Sequence, residues 1–149
     1  GGDNPDALPF SRNTGLGTRS RHDLGVMASG KATYNPNYVF SMLSDHEDTI
    51  WAGTWGGGVA RFKDGKWTNL MEKDGLAGNI VYSIAQDKKG AYWFGTNRGL
   101  SRYDGKQWNN WNVHSGLPSN DVYDIAIDGS DVWIGTRGGV TRLGMETDK

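Results

Sequence analysis

Large and small uncharged side chains alternate through Val81-Tyr82-Ser83-Ile84-Ala85, and the same texture returns from Tyr38 to Leu43 and from Val122 to Ile127. A strand with one face in water alternates apolar with polar residues, whereas a strand covered on both faces need not. Tyr92-Trp93-Phe94-Gly95-Thr96 is likewise apolar on both faces, so it predicts a second covered strand. Between the two lie Asp87-Lys88-Lys89-Gly90 and Asp128-Gly129-Ser130-Asp131, which are turn residues. A third strand from Gly99 to Tyr103 ends at Asp104-Gly105, a hairpin dipeptide. A fourth, from Gln107 to Trp111, is more polar, as an outermost edge strand is. No useful length of chain carries helical periodicity.

This four-strand unit recurs. Trp51-Ala52-Gly53-Thr54, Trp93-Phe94-Gly95-Thr96 and Trp133-Ile134-Gly135-Thr136 are spaced by 42 and then 40 residues. Asn37, Asn79 and Asn120 keep nearly that step, as do Arg61, Arg102 and Arg142. Gly75-Leu76 matches Gly116-Leu117, and Asp64-Gly65-Lys66 matches Asp104-Gly105-Lys106. Four antiparallel strands every 41 residues or so, with the early strands apolar on both faces, predict an all-β fold of blades stacked face to face, a β-propeller. A sandwich buries one face of each strand and needs no such period.

The expected divisions are a tail at 1–12, a degenerate partial blade at 13–35, blades at 36–79 and 80–120, a three-stranded partial blade at 121–143 and a tail at 144–149. Met27 to Tyr34 is the stretch expected to supply the missing strand to another chain's C-terminal blade, by strand exchange. So few blades leave the ring incomplete in one chain, since propellers have about four to eight. Apolar blade faces left at each end mark association. The partner expected is a second copy, as a closed homodimer with a ring of about six to eight blades, or as an open filament if the contact does not close.

The run Leu117-Pro118-Ser119-Asn120, Val122, Trp133-Ile134-Gly135-Thr136, Gly139-Val140 and Arg142 resembles the two-component regulator propeller repeat, and so does the run from Gly75-Leu76 to Asp104-Gly105. That resemblance implies a sensing propeller of the kind found in the periplasmic halves of bacterial signalling proteins. A periplasmic or extracellular location is implied by it alone.

Composition narrows the function classes. Sixteen basic and 17 acidic residues give a net charge of −1, without the positive field that phosphate-backbone binding uses, so nucleic acid is not an expected partner. The absence of cysteine excludes disulfides, thiolate metal sites and cysteine nucleophiles. No apolar run reaches the length of a membrane span. Gly1-Gly2-Asp3-Asn4-Pro5 has no basic stretch leading into an apolar one, so no leader peptide is expected in it.

Candidate chemistry is sparse. The repeated tryptophans are expected in the core between blades, Trp93 and Trp133 both buried. The arginine column is expected to be structural, paired with carboxylates or carbonyls, and the asparagine column to close turns on its own backbone. Departures from the repeat are more informative. The loops after the second strands read Trp55-Gly56-Gly57-Gly58, Asn97-Arg98-Gly99 and Arg137-Gly138-Gly139. Trp55, Asn97, Arg98 and Arg137 are therefore the candidate ligand-binding residues, an aromatic platform with polar donors suited to a carbohydrate or a small anion. His22, His46 and His114 occupy unrelated positions and predict neither a metal site nor catalysis. Asp45-His46-Glu47-Asp48 lacks a calcium-loop pattern, and the glycine runs lead into strands rather than phosphate-binding helices. No cofactor is expected. The residues and the resemblance together predict a non-enzymatic binding and assembly module. A carbohydrate-binding propeller lectin is the second reading, and a propeller lyase the third.

Overall fold

The computed structural model describes residues 35–144. The calls on 1–12, on most of 13–35 including Met27 to Tyr34, on His22 and on 145–149 lie outside them. The described residues form strands β1 (Asn35–Ser44), β2 (Ile50–Trp55), β3 (Val59–Lys63), β4 (Lys66–Leu70), β5 (Val81–Gln86), β6 (Tyr92–Thr96), β7 (Gly99–Tyr103), β8 (Trp108–Trp111), β9 (Val122–Asp128), β10 (Asp131–Thr136) and β11 (Gly139–Gly144). They pair antiparallel as β1-β2-β3-β4, β5-β6-β7-β8 and β9-β10-β11, three blades of an incomplete propeller ring. One short 3-10 turn, Glu72–Asp74 or Val113–Ser115, opens each linker to the next blade.

The blades meet through apolar faces. Trp51, Val59, Leu76, Val81 and Phe94 fill the first junction, and Trp93, Leu100, Leu117, Val122, Val132 and Ile134 fill the second. In each, a tryptophan of one blade meets a valine from the inner strand of the next, and a linker leucine fills the space between them. First strands of successive blades lie against one another and so form the inner side of the stack.

The Trp-x-Gly-Thr column now has a residue-by-residue cause. The threonine hydroxyl closes the loop after the second strand: Thr54 donates to Gly58 O, Thr96 to Gly99 O and Thr136 to Gly139 O, each at 2.8 Å. The glycine admits the next blade. A Cβ on Gly53 would lie 2.6 Å from Val81 O, and one on Gly95 2.5 Å from Val122 O.

Three expectations need correction. Trp133 is not buried: it is 41% exposed, because its ring faces the side on which Trp51 and Trp93 meet a following blade. The arginines do not chiefly seek carboxylates. Arg61, Arg102 and Arg142 sit directly across the strand pair from the tryptophans and stack on them at 5.5, 5.8 and 5.7 Å, a cation–π contact. Among the described residues only Arg142 of the three adds a carboxylate, Asp131 at 3.4 Å. Asn79 and Asn120 are structural but reach back seven residues, accepting from the N–H of Glu72 and Val113 at the start of the 3-10 turns.

The turns between first and second strands, at what we term the lower end of each blade, carry a second tie. Trp51 Nε1 donates to Asp45 Oδ2 and Trp93 Nε1 to Asp87 Oδ2, both at 2.9 Å, while the same carboxylates accept backbone N–H groups of their own turns. The third-blade turn is one residue shorter between its aspartate and tryptophan, Asp128 and Trp133. Asp45 also accepts from Tyr92 Oη, which binds the first blade to the second. Burial works to raise the Asp45 carboxyl, but hydrogen bonds from Tyr92, Trp51, Thr49 and Glu47 outweigh it and hold the group below its usual value. A lowered folded-state pKa contributes stability that is complete above the unfolded value and is lost as pH falls through the folded one. Asp45→Asn is therefore expected to cost about 1.5–3 kcal/mol at pH 7, the scale of a hydrogen bond to a charged group. In urea titrations the gap to the parent should begin to shrink below about pH 4, where the unfolded chain's carboxyl protonates, and close as pH falls through the lower folded-state value. A gap unchanged from pH 7 to pH 3 would contradict this role.

Candidate ligand-binding face

In each inner strand the pairing register slips by one residue at the aligned position, between Val39 and Ser41, Val81 and Ser83, and Val122 and Asp124. The residue left over is aromatic in every blade: Phe40, Tyr82 and Tyr123. A β-bulge leaves its extra residue outside the ladder and re-aims the side chain. Here it produces a row of rings across the inner side of the stack, with Phe40 and Tyr82 at 5.5 Å and Tyr82 and Tyr123 at 5.0 Å, edge to face. Trp55 continues the row at 5.5 Å from Phe40. Phe40 and Tyr123 are nearly half exposed, with Tyr82 between them more covered.

Polar groups flank the rings. Arg137 Nη1 lies 3.8 Å from Asp121 Oδ2. Burial, and then the Asp121 carboxylate, push the Tyr82 phenol above its ordinary value. Tyr82 is thus a neutral hydroxyl at physiological pH, able to donate or accept.

The four sequence-derived candidates divide. Trp55 ends β2, is bridged to Ile80 in the entry to the second blade, and joins the ring row. Arg137 borders Tyr82 through its field. Asn97 and Arg98 instead line a small cleft with Gly56, Glu72 and Asn79. Asn97 is committed to the fold, its Oδ1 accepting from Ile80 N and its own N–H donating to Ile80 O. Arg98 reaches Glu72 at 3.4 Å. Residue-type reasoning missed Phe40, Tyr82 and Tyr123. The available signal was a valine followed by an aromatic at the aligned position of all three repeats, Val39-Phe40, Val81-Tyr82 and Val122-Tyr123. His46 and His114 sit at opposite ends of the blades, in the β1–β2 turn and in the linker after β8. Among the described residues no three histidine, aspartate or glutamate side chains converge on a metal-sized site.

With this geometry in hand, the likenesses to known proteins can be placed. The two-component regulator propeller family matches residues 33–56, 75–98 and 116–138, segments that include the first two strands of each blade. The extracellular domain of a putative hybrid two-component system from B. thetaiotaomicron is 26% identical, with a TM-score of 0.62 over 73% of this chain. PorZ, a surface component of the type-IX secretion system of Porphyromonas gingivalis, shares the fold at 17% identity and a TM-score of 0.58, over 74% of this chain and 18% of its own. Virginiamycin B lyase from Staphylococcus aureus shares it at 13% identity and a TM-score of 0.52, over 79% of this chain and 45% of its own. No curated protein matches. The chain spans only 16% of the B. thetaiotaomicron domain. Among the described residues no helix is long and apolar enough to cross a membrane.

Proposed function

We propose that this chain, which carries three two-component regulator propeller repeats, is a non-enzymatic sensing module of a periplasmic or extracellular protein, with a saccharide as its ligand. The observation that carries this reading is the bulge-presented row Phe40, Tyr82 and Tyr123, extended by Trp55. Exposed rings beside a neutral phenol offer the apolar face and the hydrogen bonds that a sugar ring uses. A small anion is disfavoured, because Arg98 and Arg137 already face Glu72 and Asp121. A lyase reading lacks support from His46 and His114, which sit at opposite ends of the blades. The module self-associates through its blade faces.

Calorimetric titration of the chain with a panel of neutral and acidic oligosaccharides tests the ligand assignment. At least one neutral saccharide should bind, and Tyr82→Ala and Trp55→Ala should each weaken it tenfold or more. The thermal midpoint of Trp55→Ala should stay within a few degrees of the parent, since that ring is partly open to solvent. Undiminished affinity in both variants would remove the aromatic row from consideration.

A further inference from the structure

A cleft opens at the lower end of the first blade junction, at the opposite end of the blades from the aromatic row. Its first-blade wall comes from the β1–β2 turn and β3, its second-blade wall from the β5–β6 and β7–β8 turns. Its volume is about 370 Å³, within the range of about 300–1,000 Å³ usual for small-molecule sites. Two hydrogen bonds join the walls and set their spacing: Tyr92 Oη donates to Asp45, and His46 N–H donates to Gln86 Oε1 at 2.9 Å.

The charges divide by wall. On the first-blade side Arg61 lies over the Trp51 ring at 5.5 Å and has no acceptor among the described residues, whereas Arg142 in the same column has Asp131. Beside it Lys63 meets Glu47 at 3.9 Å, with both side chains mostly in solvent, which weakens the pair. On the second-blade side stands Asp104, at the register position that Lys63 holds in the first blade, since Phe62 pairs Trp67 as Tyr103 pairs Trp108. Asp104 Oδ1 accepts from Lys106 and Gln107 N–H at 2.8 Å, while Oδ2 has no hydrogen-bond partner among the described residues. The Gln107 and Lys106 amides hold the carboxyl below its usual value, so it is charged at neutral pH. Opposite charges thus line the two walls, yet among the described residues no ion pair crosses between them. Tyr92 and Tyr103 add two half-buried rings, 6.5 Å apart, to the second-blade wall. Their hydroxyls are already spent on Asp45 and on Gly105 O, so what they offer a ligand is apolar surface.

We infer that this cleft binds a free α-amino acid with an apolar or aromatic side chain. The carboxylate lies on Arg61, the ammonium faces Asp104, and the side chain rests against Tyr92 and Tyr103. A simple anion would meet Glu47 and Asp104 in the same cleft, and a simple cation would meet Arg61 and Lys63. A ligand carrying both charges a short way apart suits both walls. The guanidinium matches a carboxylate through two parallel hydrogen bonds, and stacking on Trp51 leaves those donors free. This site goes beyond the saccharide reading and does not rest on it.

The test is calorimetric titration of the 149-residue chain with L-phenylalanine. N-acetyl-L-phenylalanine, which lacks the ammonium, and L-phenylalanine amide, which lacks the carboxylate, are titrated beside it. L-Phenylalanine is expected to bind at a single site, and each derivative about tenfold or more weakly, the scale of one charge-assisted hydrogen bond. Asp104→Asn keeps an acceptor for the turn amides and should weaken L-phenylalanine to the same degree, with the parent's circular dichroism spectrum and thermal midpoint. Amide shifts during the titration should centre on Gly90, Asp104 and Gly105. Absence of saturable binding overturns the proposal. Equal binding of all three compounds would report ring stacking alone and overturns it too, as does unchanged affinity in Asp104→Asn. Shifts centred on Phe40, Tyr82 and Tyr123 would put the amino acid on the aromatic row, overturning this site while leaving the saccharide reading to its own test.

Discussion

Replacing Trp93 by alanine is expected to lower the unfolding free energy by about 3–5 kcal/mol, the range for removing a large aromatic from a packed interior. The ring is fully buried at the second blade junction, lies 5.6 Å from Trp111, carries Arg102 on its face, and donates through Nε1 to Asp87. Alanine removes the ring, leaves a cavity against Leu117 and Val122, and takes away the indole donor of a buried carboxylate. Trp133→Ala is the matched control. It removes the same residue from the same position of the repeat, but with solvent on one side, so it should cost about 1 kcal/mol or less in dilute solution. Its cost should grow with protein concentration if the third-blade face is covered by a second copy, since association stabilises by mass action. Urea titrations of both variants read the difference, and equal losses at low concentration would show that the exposed position is misjudged.

The second large effect concerns a single methyl group. Gly95→Ala places a Cβ 2.5 Å from Val122 O, 2.6 Å from Ser83 Oγ and 2.9 Å from a Val122 methyl. The first of these is backbone of the neighbouring blade, so the clash is relieved only by moving the blades apart. Overpacking of that kind costs about 1–3 kcal/mol and occasionally more. We expect the upper end of the range, about 3 kcal/mol, and the same for Gly53→Ala against Val81 O at 2.6 Å. Gly135→Ala, with nothing closer than 3.8 Å, should change stability by about 0.5 kcal/mol or less in dilute solution. A loss below about 1 kcal/mol for Gly95→Ala would contradict the assignment of this column to blade contact.

The blades were legible in the sequence because each repeats the same three demands at fixed spacing: a tryptophan for the junction, a glycine for close approach and a threonine for the loop. What column alignment could not show is which tryptophan is covered by a following blade among the described residues. Trp133 stands in the same column as Trp93 and is exposed for a reason that lies outside its own blade. Pairwise chemistry was misread in a similar way. Arginine suggests a carboxylate partner, but strand register sets Arg102 across from Trp93, and the nearest partner wins. The aromatic row stayed hidden because alternation assigns Tyr82 to the strand, and only the slipped register between Val81 and Ser83 turns it out. Of the loop candidates, Trp55 and Arg137 lie beside that row, while Asn97 spends its amide on holding Ile80.

The most direct test of the proposed saccharide site is amide chemical-shift mapping of the isotopically labelled chain during titration with a saccharide that binds it. The expected result is a set of shifts centred on Phe40, Tyr82, Tyr123 and Trp55, fading toward the lower turns. Shifts centred instead on Asp87–Ala91 or Asp104–Lys106, at the opposite end of the blades, would contradict it.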